Sequence, residues 1–307
     1  ALSGGGADGA YGAGVLVGWS EAGTRPNFDI VTGVSTGALM ASLAFLGPDY
    51  DPILTRVYTT TRQRDIFVFR GMRGVFGDGL LDNAPLRKRV DEIVDERMLA
   101  AVAAEHRKGR RLYVATTNLD AGRLVVWDIG AIAASPHPDR LKIYRDILIA
   151  SAAIPGAFSP VYIAAGSSTG TQMHVDGGVK APFLLRSFMV DVPARRKDVY
   201  VVVNGPVLLD GEGEPVEPNL VEISAKSIKE LMRGLTYKTL YQAYVTTRHG
   251  GAGFHLAYMP DTIAADSATI EFEPETMRRV FEAGRTAART GKVWSGEPPR
   301  LEALERL

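Results

Sequence analysis

Short apolar runs alternate along this chain with longer stretches in which apolar residues recur every three or four positions. The valine-rich run at 199–203 is typical of a strand buried on both faces. Other apolar runs predict strands at 28–31, 112–116, 124–127, 173–175 and 254–259. The helical repeat predicts helices at 11–22, 36–46, 85–107, 141–150, 277–289 and around 228–235. This alternation predicts an α/β fold of three layers, with a mostly parallel central sheet covered by helices on both faces.

Composition narrows the possible functions. The 307 residues include 35 basic and 35 acidic side chains, so bulk charge does not favour binding to nucleic acid or to anionic lipid. There are no cysteines, which excludes disulfides, thiolate catalysis and cysteine zinc sites. The longest apolar runs fall well short of the roughly 20 residues needed to span a bilayer.

A pentapeptide of the form G-x-S-x-G lies between a predicted strand and a predicted helix, at Gly33-Val34-Ser35-Thr36-Gly37. A nucleophile at such a sharp turn needs small neighbours two positions away on each side. The N-terminus of the following helix favours the negative charge that develops there. Ser35 is therefore a candidate nucleophile, and the alternative is a plain glycine-rich turn.

A glycine loop, Gly4-Gly5-Gly6-Ala7-Asp8-Gly9, opens the chain. Consecutive glycines allow backbone N–H groups to converge on one point, as an oxyanion hole requires. The spacing of Gly4, Gly6 and Gly9 also fits a dinucleotide fingerprint, with Asp29 as the ribose-binding acid about 20 residues on. A nucleotide-binding module therefore remains a second interpretation. A strand normally has about 5–6 residues and only a stub precedes this loop, so we expect upstream residues and leave the compartment open.

An acid follows the strand at 173–175, in His174-Val175-Asp176-Gly177-Gly178. The two glycines permit a sharp turn that leaves the carboxylate accessible, and a carboxylate can deprotonate a serine when both are desolvated. The alternatives are an aspartate that caps a turn and a Ser–Asp–His triad, because His249 and His255 both follow Asp176. No pair of histidines has metal-ligand spacing, so we expect neither metal nor cofactor.

These motifs together resemble those of the patatin-like phospholipases, which include bacterial members. The glycine loop, the Ser35 pentapeptide and Asp176-Gly177-Gly178 occur in that family's order and at about its spacing. Ala150-Ser151-Ala152-Ala153-Ile154-Pro155, with Pro160, resembles the segment that precedes the family's aspartate. The likeness covers roughly residues 1–185, and we expect 186–307 to complete the same single domain, 1–307.

The resemblance implies hydrolysis of lipid acyl esters by a Ser35–Asp176 dyad through an acyl-enzyme. It implies an oxyanion hole in the glycine loop, at Gly4, Gly5 and Gly6, to which we add the N–H of Thr36. The glycines that support the motifs are Gly9, Gly33, Gly37, Gly177 and Gly178. One position departs from the family, because Asp8 stands where Arg or Lys is usual.

Residues 62–83 combine apolar side chains with arginines and glycines. The apolar residues are Ile66, Phe67, Val68, Phe69, Met72, Val75 and Phe76. Arginines interleaved with aromatic rings suit the boundary between lipid headgroups and acyl chains. We therefore expect a mobile flap that makes peripheral contact with a membrane, and the alternative is that these residues belong to the core.

Overall fold

The computed structural model describes residues 1–71, 78–164, 170–207, 216–264 and 271–299. The helices are α1 Gly9–Glu21, α2 Thr36–Leu46, α3 Asp51–Thr60, α4 Ala84–Ile93, α5 Glu96–Arg107, α6 Ile129–Ala134, α7 Arg140–Ser151, α8 Ser187–Val190, α9 Leu220–His249, α10 Asp261–Ala264 and α11 Pro274–Arg289. The strands are β1 Ile30–Gly33, β2 Val68–Phe69, β3 Leu81–Asp82, β4 Arg111–Asn118, β5 Arg123–Asp128, β6 Val161–Ala164, β7 Thr171–Asp176, β8 Asp198–Val203 and β9 Gly253–Tyr258. Within these ranges, no helix has the length and apolar character needed to cross a bilayer.

The central sheet is mixed. Strand β1 runs parallel to β4, and β8 runs parallel to β9. Leu2 connects the two pairs through parallel bridges to Gly33 and Val202. Strand β7 pairs antiparallel with β4 on the same edge as β1, and β5 pairs antiparallel with β4 on its other edge. Strand β6 pairs antiparallel with β7. The parallel strands carry the glycine loop and Ser35, whereas an antiparallel strand carries Asp176.

Helices cover both faces of this sheet, as the side chains of β8 illustrate. Val202 joins the core that includes Leu16 of α1 and Phe281 of α11. Val201 and Val203 point the other way and pack with Leu240 of α9. Successive side chains of a strand point to opposite faces, so the predicted three-layer α/β/α arrangement is confirmed.

Three expectations differ from the structure. The helix predicted over 85–107 is two helices, because the chain breaks at Asp95, whose Oδ1 accepts the Met98 N–H at 2.8 Å and caps α5. Strand β6 was not predicted at all. The helix predicted around 228–235 is present in α9, but its apolar face is only partly covered: Ile228 and Leu231 are 58% and 73% exposed, whereas Met232 and Leu235 are half-buried.

The 62–83 segment is divided between core and surface. Ile66 and Phe67 are buried, and the Phe67 ring packs against Phe158 at 5.7 Å between centroids. Val68 and Phe69 are exposed on the β2–β3 hairpin. The core interpretation is thus correct for the first two residues. Met72, Val75 and Phe76 lie outside the described residues.

Candidate active site

Ser35 occupies the turn between β1 and α2. Its backbone has φ 57° and ψ −127°, and among the described residues other than glycine it alone has positive φ. The turn is possible because its flanks lack side chains. A Cβ at Gly33 would lie 2.4 Å from the Gly37 carbonyl oxygen, and a Cβ at Gly37 would lie 2.4 Å from the Leu2 carbonyl oxygen. The sequence therefore folds here into the strained elbow that presents a nucleophile.

Asp176 reaches Ser35 because two strands end head to head on one edge of β4. Gly33 of β1 pairs with Val114, and Asp176 of β7 pairs with Thr116. The two strands run in opposite directions, and a single residue of β4, Ala115, separates their ends. The geometry brings together two residues that are far apart in sequence.

The Asp176 carboxylate is buried. Burial raises its pKa to about 6, against the opposing effects of hydrogen bonds from the Ser35 hydroxyl and from the Gly178 N–H. The Gly178 bond measures 2.7 Å between N and Oδ1. A buried carboxylate with a raised pKa, placed at the end of the strand beside the serine elbow, has the proton affinity of a general base.

The glycine loop lies against the elbow. A Cβ at Gly4 would lie 3.1 Å from the Ser35 Cβ, so only glycine allows the approach without displacement. The N–H of Gly4 donates to the Pro182 carbonyl at 2.9 Å. Within the described ranges, the N–H groups of Gly5, Gly6 and Thr36 donate to no other residue. These three amides have no partner within the described residues and are therefore candidate donors to an anion.

Asn204 fixes this loop and was missed by the sequence analysis. It follows the last residue of β8, and its Oδ1 accepts the Gly12 N–H at 3.0 Å. Its Nδ2 donates to the Ser3 carbonyl and its backbone N–H donates to the Ser3 hydroxyl, each at 2.8 Å. A Cβ at Gly5 would lie 2.1 Å from the Asn204 carbonyl oxygen. The sequence feature that could have identified Asn204 is its position, because it is a polar residue directly after the valine-rich run at 199–203.

Asp8, the departure from the family pattern, is buried in the short 3₁₀ turn Gly6–Asp8 that leads into α1. It lies on the same loop as the available amides, and Gly9 begins the helix. A Cβ at Gly9 would lie 2.4 Å from the Thr36 Oγ1. The loop and the start of α2 are therefore in direct contact.

The histidines lie elsewhere. His255 Nε2 is 2.9 Å from Asp198 Oδ1 near the beginning of β8 and β9, on the opposite edge of the sheet from the elbow. His249 ends α9. His174 Nδ1 bonds to Thr116 Oγ1 at 2.9 Å, and burial lowers the pKa of its ring. In the described part of the chain, none of these histidines hydrogen-bonds to Ser35 or Asp176, so the geometry favours a dyad over a triad.

The nucleotide interpretation requires an acid near the glycine loop. Asp29 precedes β1, whereas the loop lies beyond the end of that strand. Four residues of strand at about 3.3 Å each place Asp29 roughly 13 Å from the loop end. This acid is at the wrong edge of the sheet for a ribose held at the loop. Among the described residues, no group of three or more His, Asp or Glu side chains is arranged to hold a metal ion.

The layered sheet, the glycine loop and the G-x-S-x-G elbow between β1 and α2 define an α/β protein with a strand–turn–helix site of the nucleophile-elbow type. The model of the patatin-like phospholipase family matches residues 1–189, more than half of the chain, and the chain belongs to that family.

The crystal structure of VipD from Legionella pneumophila is similar to this chain, with a TM-score of 0.51 and 14% sequence identity. The match covers 94% of this chain and 65% of VipD, so the chain spans just under two thirds of that protein's length. At this identity the likeness shows the fold alone. A comparison with curated protein sequences gave no match.

Proposed function

We propose that this protein hydrolyses carboxylic esters of lipids through the Ser35–Asp176 dyad and an acyl-enzyme. The observation that carries the proposal is that two strand ends on one edge of β4 bring the strained Ser35 close to the buried Asp176, whose pKa the Ser35 hydroxyl lowers. A carboxylate with a pKa near 6 is ionised at neutral pH and retains enough basicity to accept the serine proton. Ester hydrolysis by this route uses only groups that the chain itself supplies.

In the first half-reaction, the Ser35 Oγ attacks the carbonyl carbon while its proton moves to Asp176. The amides of Gly5, Gly6 and Thr36 donate to the oxyanion. Gly4 contributes its lack of a side chain, since its own N–H is bound to Pro182. The C–O bond to the alcohol then breaks, and Asp176 returns the proton to the departing alkoxide. The products are a free alcohol and an ester of Ser35.

In the second half-reaction, water attacks the Ser35 ester and gives a proton to Asp176. The tetrahedral intermediate collapses to the carboxylic acid, and the Ser35 alkoxide recovers the proton. Asp176 thus acts as base and then as acid in each half, and no histidine takes part.

An apolar cavity beside the elbow supports a lipid acyl group as substrate. It begins at Thr36, whose Oγ1 bonds to the Tyr58 hydroxyl at 2.9 Å, and continues between α2, α3, α4 and α11. Its walls include Leu39, Leu43, Val57, Leu86, Val90 and Met277. A larger cavity lies where the strands begin, lined by Asp29 and Asp198. Neither dyad residue lines either cavity, but Thr36, which follows Ser35 in the chain, lines the first. We assign the acyl chain to the cavity at Thr36 because it adjoins the nucleophile.

Peripheral membrane contact through residues 62–83 is the second part of the proposal. Val68, Phe69 and Leu80 are exposed on the hairpin formed by β2 and β3. The hairpin lies against the segment that leads into β6, because Leu81 N–H donates to the Ala157 carbonyl at 2.8 Å. Exposed apolar side chains near the catalytic strands suit an enzyme that withdraws its substrate from a bilayer.

Labelling with a fluorophosphonate tests the dyad, because such probes react only with activated serines. We expect wild-type protein to gain the mass of one probe and to hydrolyse a nitrophenyl ester. Ser35→Ala and Asp176→Asn should each lose labelling and turnover by at least about 10³-fold, and the double variant should be no worse than either single one. His255→Ala is the control and should remain active. Turnover by Ser35→Ala at the wild-type rate would refute the proposal.

A further inference from the structure

The end of helix α7 joins the two strand ends that carry the dyad. Ser151, the last residue of α7, is fully buried. Its Oγ accepts the N–H of Ser35 at 3.0 Å and its hydroxyl donates to the Ala115 carbonyl at 2.8 Å. Ala115 is the residue of β4 that lies between the ends of β1 and β7. A single hydroxyl therefore connects the nucleophile's backbone to the centre of the sheet.

The same segment also holds the other member of the dyad. Two residues after Ser151, the Ala153 carbonyl accepts the N–H of Asp176 at 2.9 Å. The segment is itself fixed to α7, since the Ala152 N–H donates to the Leu148 carbonyl. The backbones of Ser35 and Asp176 are thus both hydrogen-bonded to one short stretch of chain, 151–153.

We propose that Ser151 is a positioning residue for the nucleophile, which holds the strained Ser35 backbone at the distance from Asp176 that proton transfer requires. The proposal rests on the function proposed above. A hydroxyl can accept one hydrogen bond and donate another. The Ser151 hydroxyl can therefore bind the Ser35 N–H and the Ala115 carbonyl at the same time. A positive φ persists at a non-glycine residue only when its surroundings fix it, and the Ser151 bond is part of that fixation.

This bond also determines which amides bind the oxyanion. In many serine hydrolases the N–H groups near the nucleophile are the donors, but the Ser35 N–H here is directed at Ser151. The donors must then come from Gly5, Gly6 and Thr36. In this proposal the Ser35 N–H orients the nucleophile through Ser151, and other amides stabilise the oxyanion.

The test compares Ser151→Ala with a matched loss of a buried hydroxyl on a neighbouring element. Ser42 of α2 is buried, and its Oγ bonds to the Tyr144 hydroxyl at 2.7 Å without contact to the elbow. Both variants should lower the melting temperature by several degrees, because each leaves buried polar groups without a partner. Only Ser151→Ala should lower kcat, by about 10- to 100-fold at nearly constant KM, as expected for a displaced reacting group.

A second readout separates positioning from loss of structure. The Ser35 hydroxyl and the Gly178 N–H both lower the pKa of Asp176. Among the described residues, no charged side chain contributes to the shift of this pKa. If Ser35 moves away, the acid limb of the activity profile should shift to higher pH in Ser151→Ala and remain in place in Ser42→Ala. Ser151→Cys, which retains a weak donor and acceptor, should give an intermediate kcat.

Equal activity of Ser151→Ala and Ser42→Ala, with the same pH profile, would overturn the proposal. If Ser151→Ala does not fold, the kcat and pH profile of Ser151→Cys decide, and values equal to wild type would overturn it. Failure of the proposed function would look different, because wild-type protein would then neither react with a fluorophosphonate nor hydrolyse the ester.

Discussion

At the scale of single residues, Asp176 sets the pH dependence of the proposed reaction. Burial raises the pKa of this carboxyl to about 6. The base must be ionised, so activity should be full above that pH and should fall as pH decreases through it. Below the pKa of Asp176, we expect kcat/KM to decrease about tenfold for each pH unit, which gives an acid limb in the pH profile. The profile is measured with a short ester whose own ionisation does not change in this range.

His174 is the control for that assignment, because it lies two residues from Asp176 in β7 and histidine is the side chain that ordinarily titrates in this pH range. Burial lowers the pKa of His174 and so favours its neutral form. His174→Asn should leave the limb in place if Asp176 is the titrating base. A limb that disappears in this variant would assign the titration to His174 instead.

At the scale of elements, β2 ends with an exposed phenylalanine, and a buried phenylalanine directly precedes the strand. Phe69 is 67% exposed, whereas Phe67 is 7% exposed and packs against Phe158 and Phe272. Phe69→Ser should weaken binding to phosphatidylcholine vesicles by about tenfold or more, as the loss of a partly inserted ring requires. Hydrolysis of a short soluble ester and the melting temperature should not change.

Phe67→Ser is the matched variant for the core. It should destabilise the fold by about 3–5 kcal/mol, as measured for other buried phenylalanines, and should reduce activity on every substrate through loss of folded protein. Sedimentation with vesicles and thermal melting measure the two effects. If Phe69→Ser binds vesicles as well as wild type, the membrane contact lies elsewhere on the molecule.

At the scale of the whole molecule, helix α11 packs against helix α1, which directly follows the glycine loop. Helix α11 crosses α1 so closely that a Cβ at Gly284 would lie 2.3 Å from the Tyr11 carbonyl oxygen. A Cβ at Gly14 would lie 2.0 Å from the Phe281 carbonyl oxygen. Together with the bonds from Asn204 to Ser3, this crossing supports our proposal that residues 1–307 form one domain.

If the chain is one domain, we expect a single cooperative unfolding transition, and Gly284→Ala should shift the whole of that transition. The added methyl should separate the helices and lower the free energy of unfolding by about 1–3 kcal/mol, and it should also lower kcat because α1 carries the glycine loop. Gly234→Ala in α9 is the control. Nothing lies within 4 Å of its Cβ, so alanine there should stabilise the helix by up to about 1 kcal/mol. Two transitions, only one of which shifts, would contradict the single domain.

The sequence by itself determined the local chemistry. Small residues at 33 and 37 permit the turn that a nucleophile at 35 needs, and this requirement is steric and local. The layered fold followed from the alternation of apolar runs, because each element must bury its apolar face. The order of the motifs identified the family before any contact between them was known. Each of these signals comes from a short segment of sequence or from the order of such segments along the chain.

Only the tertiary structure decided how those parts meet. Asp176 reaches Ser35 on an antiparallel strand, and Ser151 bonds to a residue 116 positions away in the chain. Asn204 fixes the glycine loop by bonding to Ser3, 201 positions away in the chain, and packing alone buries Phe67 while it leaves Phe69 in solvent. The physical reason is that strand pairing and close packing join groups distant in sequence, and a local pattern carries no information about which distant partner will satisfy a hydroxyl, an amide or a ring.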